Sequence, residues 1–153
     1  MKTLTIDQAA FASLPATAAA TTSAAGQSRR RVWTGRVLAG LPLLFMTWDA
    51  SVKLLAIPQV VEASAKLGFE RANLLPLGLL ELGAVLLTLF HRTRIFGAVL
   101  LTAYLGGAVA THVQYSDPLF SHTLFPIYFA SMIWGGLSLL DARIGTISPF
   151  ARR

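Results

Sequence analysis

The chain has 153 residues, enough for one domain, with 54% of them hydrophobic and only 13% charged, where a soluble globular domain carries nearer a quarter; its mean hydropathy of +0.60 points the same way. It has no cysteine, which excludes disulfides, thiol redox chemistry and cysteine metal ligands. The net charge of +6 would suggest nucleic acid as a partner only if the arginines formed a patch of their own.

A tail comes first. ATAAATTSAAGQS, within the first 28 residues, is rich in Ala, Thr and Ser and has no apolar period. It buries too little apolar surface to offset its ordering entropy, so residues 1–31 are expected to form a disordered cytoplasmic tail. A signal peptide needs an apolar stretch of about 7–15 residues behind a basic start, and this segment has none.

A membrane domain is expected over residues 32–145. Its first span, TGRVLAGLPLLFMTWDASVKLL, covers residues 34–55 and is interrupted by Asp49 and Lys53. IPQVVEASAKLGF follows, with Pro58 placed to open a short helix and Gly68 to cap it, so this stretch is read as a helix lying at the outer membrane surface. ANLLPLGLLELGAVLLTLF covers 72–90, IFGAVLLTAYLGGAVATHV 95–113 and HTLFPIYFASMIWGGLSLL 122–140. At about 1.5 Å per residue each segment is close to the ~30 Å hydrocarbon thickness. A soluble four-helix bundle would carry charged helix faces, and these segments have none. Short connections make neighbouring helices antiparallel. The fold class is therefore all-α: a four-helix transmembrane bundle with a short outer interfacial helix, a disordered N-terminal tail and a basic cytoplasmic tail over 146–153. Small residues should allow close helix contacts at Ala103, Gly106, Gly107 and Ala110 on the third span and at Ser131 and Gly135 on the fourth.

The cations alternate along the chain. Arg29, Arg30, Arg31 and Arg36 open the first span; His91, Arg92 and Arg94 lie between the second and third; Arg143, Arg152 and Arg153 follow the fourth. Four crossings put all of these on one side, and the positive-inside rule makes that side cytoplasmic, with both termini. The lipid bilayer thus accounts for the basic pI, and nucleic acid is not a partner. Arg29–Arg31 can also meet anionic headgroups.

Polar residues inside a bilayer are expensive and carry most of the functional information. Asp49 lies roughly 9 Å and Glu81 roughly 13 Å below the outer ends of their spans by helical rise, and Tyr104 and Tyr128 lie at comparable depths. Asp49 and Lys53 share a helix face. An isolated carboxylate at the depth of Glu81 is costly, so Glu81 is expected in its neutral form unless a cation, Lys53 by position, reaches it. The bland reading is structural: a local Asp49–Lys53 pair, a Glu81 that fixes helix packing, and interfacial tyrosines. The functional reading is an outward-opening pocket with convergent polar groups, able to bind a small amphipathic ligand or relay protons.

THVQYSDPLFSH, residues 111–122, joins the third and fourth spans. Its SDP turn sets His112 and His122 at one rim, where they are expected to line the mouth of the pocket. A metal would need Asp117 as a third ligand and more besides, and the spacing matches no metal motif, so no metal is assigned. Asp49, Lys53, Glu81, Tyr104, His112, His122 and Tyr128 are the candidate pocket or proton-relay residues. No set with a nucleophile, histidine and acid stands out, and no catalytic residue is assigned.

WTGRVLAGLPLLFMTWDASVKLL, PQVVEASAKLGF and GAVLLTAYLGGAVATHVQYSDPLFSHTLFPIYFASMIWGGL together resemble the DoxX-like family of small bacterial membrane proteins, over roughly residues 33–142. YLGGAVATHV with DPLFSH and FP is the most specific part, and the D-x-x-x-K of the first span is the second. The resemblance implies a four-helix protein of the bacterial inner (plasma) membrane. The family name comes from a small subunit associated with a quinone-linked oxidase or a thiosulfate oxidation complex. No haem, flavin or iron–sulfur attachment pattern occurs here, so no cofactor is evident, a quinone is the one candidate, and whether the chain is an enzyme stays open. Two functions follow as expectations: a non-enzymatic accessory or small-ligand-binding subunit with an outward-facing polar pocket, or a quinone-linked redox complex subunit with an intramembrane proton relay. Either admits a membrane-protein partner or a homo-oligomer.

Overall fold

The computed structural model describes residues 14–147, with side chains described over 29–144. Helix α1 runs Leu14–Leu54, α2 Pro58–Lys66, α3 Arg71–Leu89, α4 Arg94–Gln114, α5 Phe125–Leu140 and α6 Ala142–Ile147. No strand occurs among the described residues. Among the described residues, four segments are long and apolar enough to cross a membrane: Arg29–Leu54, Arg71–Leu89, Arg94–Gln114 and Leu119–Leu140. These fall within a few residues of the expected spans. Residues 14–28 of the expected tail precede the membrane-crossing part of α1, which begins at Arg29. Residues 1–13 of that expected tail, and residues 148–153 of the expected basic C-terminal tail, lie outside the described residues.

Local signals account for the connections. Pro58 sits in the first turn of α2, where its missing N–H is no loss. Gly68 adopts φ +76° just beyond α2, a left-handed conformation that glycine takes without steric cost. A Cβ at Gly68 would also lie 2.0 Å from the Tyr115 hydroxyl. The backbone N–H of Glu70 donates to Asn73 Oδ1 at 2.8 Å, one half of the capping box that starts α3. Between α4 and α5, Ser116 takes φ +55°, and Leu119–Thr123 forms a single π-helical turn, a form that recurs at functional sites.

The helices pack as a square: α1 lies between α3 and α5, and α4 closes the far side against both. Ala39, Leu43, Met46, Val85, Ala98, Leu101, Ile133 and Leu137 fill the interior and are buried. Only 22–33% of each span's most apolar window is buried. Leu41 and Leu44 on α1, Leu75, Leu79 and Leu86 on α3, and Phe96 and Val99 on α4 face outward. A soluble monomer does not expose an apolar belt of this extent, whereas lipid solvates one. The chain is a multi-pass integral membrane protein. Hydroxyls inside the spans donate back to carbonyls one turn earlier, as Thr47 does to Leu43 at 2.7 Å and Thr88 to Ala84 at 2.8 Å, so these hydroxyls are not stranded there.

The tightest helix contacts are not at Gly106 and Gly107, two of the positions where the small-residue pattern placed them. Nothing lies within 4 Å of a Cβ built at Gly106 or Gly107. Instead α5 meets α1 at Gly136, where a Cβ would come 2.5 Å from the Ala39 nitrogen and 2.7 Å from the Gly35 carbonyl oxygen. The α3–α4 hairpin closes at Gly97, whose Cβ would be 2.4 Å from the Thr88 nitrogen. Of the expected positions, Gly135 has the Leu38 side chain 3.2 Å from a built Cβ. Small-residue spacing identifies faces able to pack, but the tightest approach is set by which face the neighbouring helix meets.

Candidate functional site

One turn of α1 separates Asp49 from Lys53, and the face they share turns into the bundle. Lys53 Nζ pairs with the Asp49 carboxylate. It also reaches Glu81 Oε2 on α3 at 2.8 Å and Tyr104 Oη on α4 at 2.8 Å. Tyr104 Oη in turn donates to Glu81 Oε2 at 2.9 Å. The side chains are graded in exposure, from 1% at Glu81 through 15% at Lys53 to 31% at Asp49. The three helices thus converge on one ammonium. Lys53, the cation named in the condition on a neutral Glu81, lies within hydrogen-bond reach of it.

This quartet borders a cavity of about 870 Å³ that lies between α2 and the bundle. Phe45 and Trp48 of α1, Leu77 and Leu80 of α3, and Phe125 and Phe129 of α5 give it apolar walls. The rings of Phe45, Phe125 and Phe129 pack on one another, with centroids 4.5–5.7 Å apart. Gln59, Val60, Ala63 and Ser64 present one face of α2 to the same space. Sequence reasoning set α2 at the surface but did not identify it as a wall; positions 59, 60, 63 and 64, one turn apart in pairs, were the available signal.

His112 and Thr111 border the cavity from the last turn of α4. His112 Nδ1 lies 2.7 Å from Asp117 Oδ2, and the Asp117 backbone N–H donates to the His112 carbonyl at 3.0 Å. The SDP turn therefore wraps its acid onto the first histidine. His122 approaches His112 edge-on, with centroids 5.9 Å apart, but its Nδ1 is engaged with Ser121 Oγ at 2.8 Å and it does not line the cavity. Tyr128 is 44% exposed on the outside of α5 and does not border the cavity. Of the seven candidates, the fold gathers Asp49, Lys53, Glu81, Tyr104 and His112 around one space, sets His122 beside them and turns Tyr128 away. Among the described residues, no group of three or more His, Asp or Glu side chains is arranged to hold a metal ion.

A second polar cluster, which the sequence reading did not single out, lies at the opposite end of the bundle. Asp141 ends α5 and is 3% exposed. It accepts from Arg143 Nε at 3.0 Å and from an Arg143 terminal nitrogen at 2.7 Å, while the Arg143 backbone N–H donates at 3.1 Å. Arg94 lies 3.7 Å and His91 Nδ1 3.8 Å away. The Arg143 guanidinium also donates to the His91 carbonyl. These bonds hold the Asp141 carboxyl down at about 2, with the Arg143 side chain as the main cause, against the opposing effect of burial. The cluster ties the end of α5 to the α3–α4 turn and borders no cavity described here.

The family comparison agrees with this architecture. The profile of the DoxX-like family matches residues 37–136, more than half of the chain. No significant match was found among curated proteins or among solved structures. The matched stretch contains the four-residue cluster, the cavity walls and the His112–Asp117 turn, and on that coverage the chain belongs to the DoxX-like family.

Proposed function

We propose that this protein is a non-enzymatic accessory or small-ligand-binding subunit of the bacterial inner membrane, with its polar pocket opening away from the cytoplasm. The observation that carries this reading is the Asp49–Lys53–Glu81–Tyr104 cluster on the wall of a mainly apolar cavity of about 870 Å³. A cluster serving packing alone would be closed over by side chains, as Asp141 is, whereas Asp49 and Lys53 keep part of their surface toward open space. Pockets with apolar walls and a few convergent polar groups suit small amphipathic ligands. The decisive measurement is mass spectrometry of the protein purified in a mild neutral detergent. A near-stoichiometric small amphipath, released on denaturation, is the expected result; a protein free of any such molecule from several membrane sources would count against the pocket.

His112 on the same cavity as Glu81 and Tyr104 favours a second reading, a quinone-linked redox subunit with a proton relay. A quinone or a redox-active protein partner in the same preparation would select it, and a self-associated chain without either would support a homo-oligomeric binding protein. Orientation rests on the cations. Arg36, Arg92, Arg94 and Arg143 all fall at the end opposite α2 if every span crosses, which supports cytoplasmic termini. Reporter fusions after Arg94 are expected to report cytoplasm and fusions at Asp117 the other side; the reverse pattern would invert the pocket.

A further inference from the structure

The hydrogen-bond inventory of the four-residue cluster selects the charge of what it can hold. An ammonium has three N–H donors and no acceptor. Those of Lys53 are matched by three partners, Asp49, Glu81 and Tyr104. The Tyr104 hydroxyl proton is committed to Glu81. No donor in the cluster remains for an anionic or carbonyl ligand. Acceptors remain in excess: two carboxyl groups face one ammonium. Asp49 engages Lys53 through Oδ2, and no hydrogen bond among the described residues reaches its Oδ1. Asp49 is also the most exposed of the charged groups and borders the cavity. The remaining walls are mainly apolar, with the packed Phe45, Phe125 and Phe129 rings on one side, and Gln59, Ser64, Thr111 and His112 are the other polar side chains that border the cavity. Negative ring faces favour a nearby cation.

We infer that the cavity takes a lipophilic organic cation, a protonated amine whose N–H groups are received by the Asp49 carboxylate and whose hydrocarbon body lies against Phe45, Phe125 and Phe129. This rests on the pocket reading above and adds the ligand's charge. An added ammonium would balance the second carboxylate without displacing Lys53. A carboxylate or phosphate ligand would have to take Lys53 from its partners and stand beside two acids, which low dielectric makes costly.

Three probes of one shape test this: phenylbutylamine, phenylbutanol and phenylbutyrate. At pH 7 the first carries an ammonium, the second is neutral and the third is a carboxylate. Binding to the full chain in a maltoside detergent is measured by calorimetry, with the same titrations into protein-free micelles as the measure of partitioning. The amine is expected to bind at least about 10-fold more tightly than either analogue, a gap of about 1.4 kcal/mol. Asp49→Asn should erase that preference while retaining binding of the alcohol. Retention of native elution and thermal unfolding by Asp49→Asn makes the comparison one of binding. Equal or tighter binding of the butyrate, or an amine preference that survives Asp49→Asn, would overturn the cation assignment and leave the pocket standing. Heats for all three probes no different from those in protein-free micelles would overturn the pocket as well.

Discussion

Replacing Lys53 by Met is expected to cost about 3–5 kcal/mol, the range for breaking a buried ion pair by removing one partner. The side chain is only 15% exposed and answers to two carboxyl groups and a phenol on three different helices. Without it, Asp49 and Glu81 face each other with no cation between them, and α1, α3 and α4 lose the bond that joins them. The two acids do not suffer equally. Glu81 is 1% exposed and Asp49 31%, so Asp49 can recover solvation that Glu81 cannot. Lys53→Met with Glu81→Gln should therefore regain more stability than Lys53→Met with Asp49→Asn, and the triple replacement should come closest to the parent. Thermal unfolding in detergent, with yield from membranes, reads the order. A Lys53→Met protein as stable as the parent, or losses that add without coupling, would mean the cluster contributes nothing to packing.

Much of this arrangement is legible in the sequence because it depends on one helix at a time. The spacing of Asp49 and Lys53 puts them on one face, Pro58 and Gly68 bracket a helix, and the apolar run lengths give the spans. What depends on rotation of one helix against another is not legible. Counting rise along each span sets Tyr104 and Tyr128 at similar depths, yet Tyr104 points at Glu81 while Tyr128 faces outward at 44% exposure. Depth is a property of the single helix, and azimuth is a property of the packing. The glycines show the same division. Gly106 and Gly107 read as an interface and meet nothing, whereas Gly136 carries the close approach to Ala39. Asp141 is hidden for another reason: an acid at the end of a leucine run reads as an ordinary span boundary. Its partners His91 and Arg94 are about fifty residues away and already explained by topology.

Asp141→Asn is the second change with a large expected effect, and its pH dependence distinguishes it. The substitution keeps size and one acceptor but removes the charge that gathers Arg143, Arg94 and His91. A loss of about 1.5–3 kcal/mol at pH 7 is expected, the range for hydrogen bonds to charged groups, with α6 and the end of α5 loosening first. The native carboxyl sits near 2, below its unfolded value of 3.8. A group depressed on folding contributes stability that is fully present above the unfolded value and is lost as pH falls through the folded one. The gap in unfolding temperature between parent and Asp141→Asn should therefore be constant from neutral pH down to about 5, narrow between about 4 and 2, and close near 2. Taking the difference between the two proteins cancels the titration of the other carboxyl groups, including Asp49 and Glu81 at the far end of the bundle. The cavity should be indifferent to this change, because Asp141 does not border it, so probe binding at pH 7 is expected to match the parent while unfolding temperature falls. A gap that stays constant down to pH 2 would mean that the charge of Asp141 is not what holds the α5 end to the α3–α4 turn.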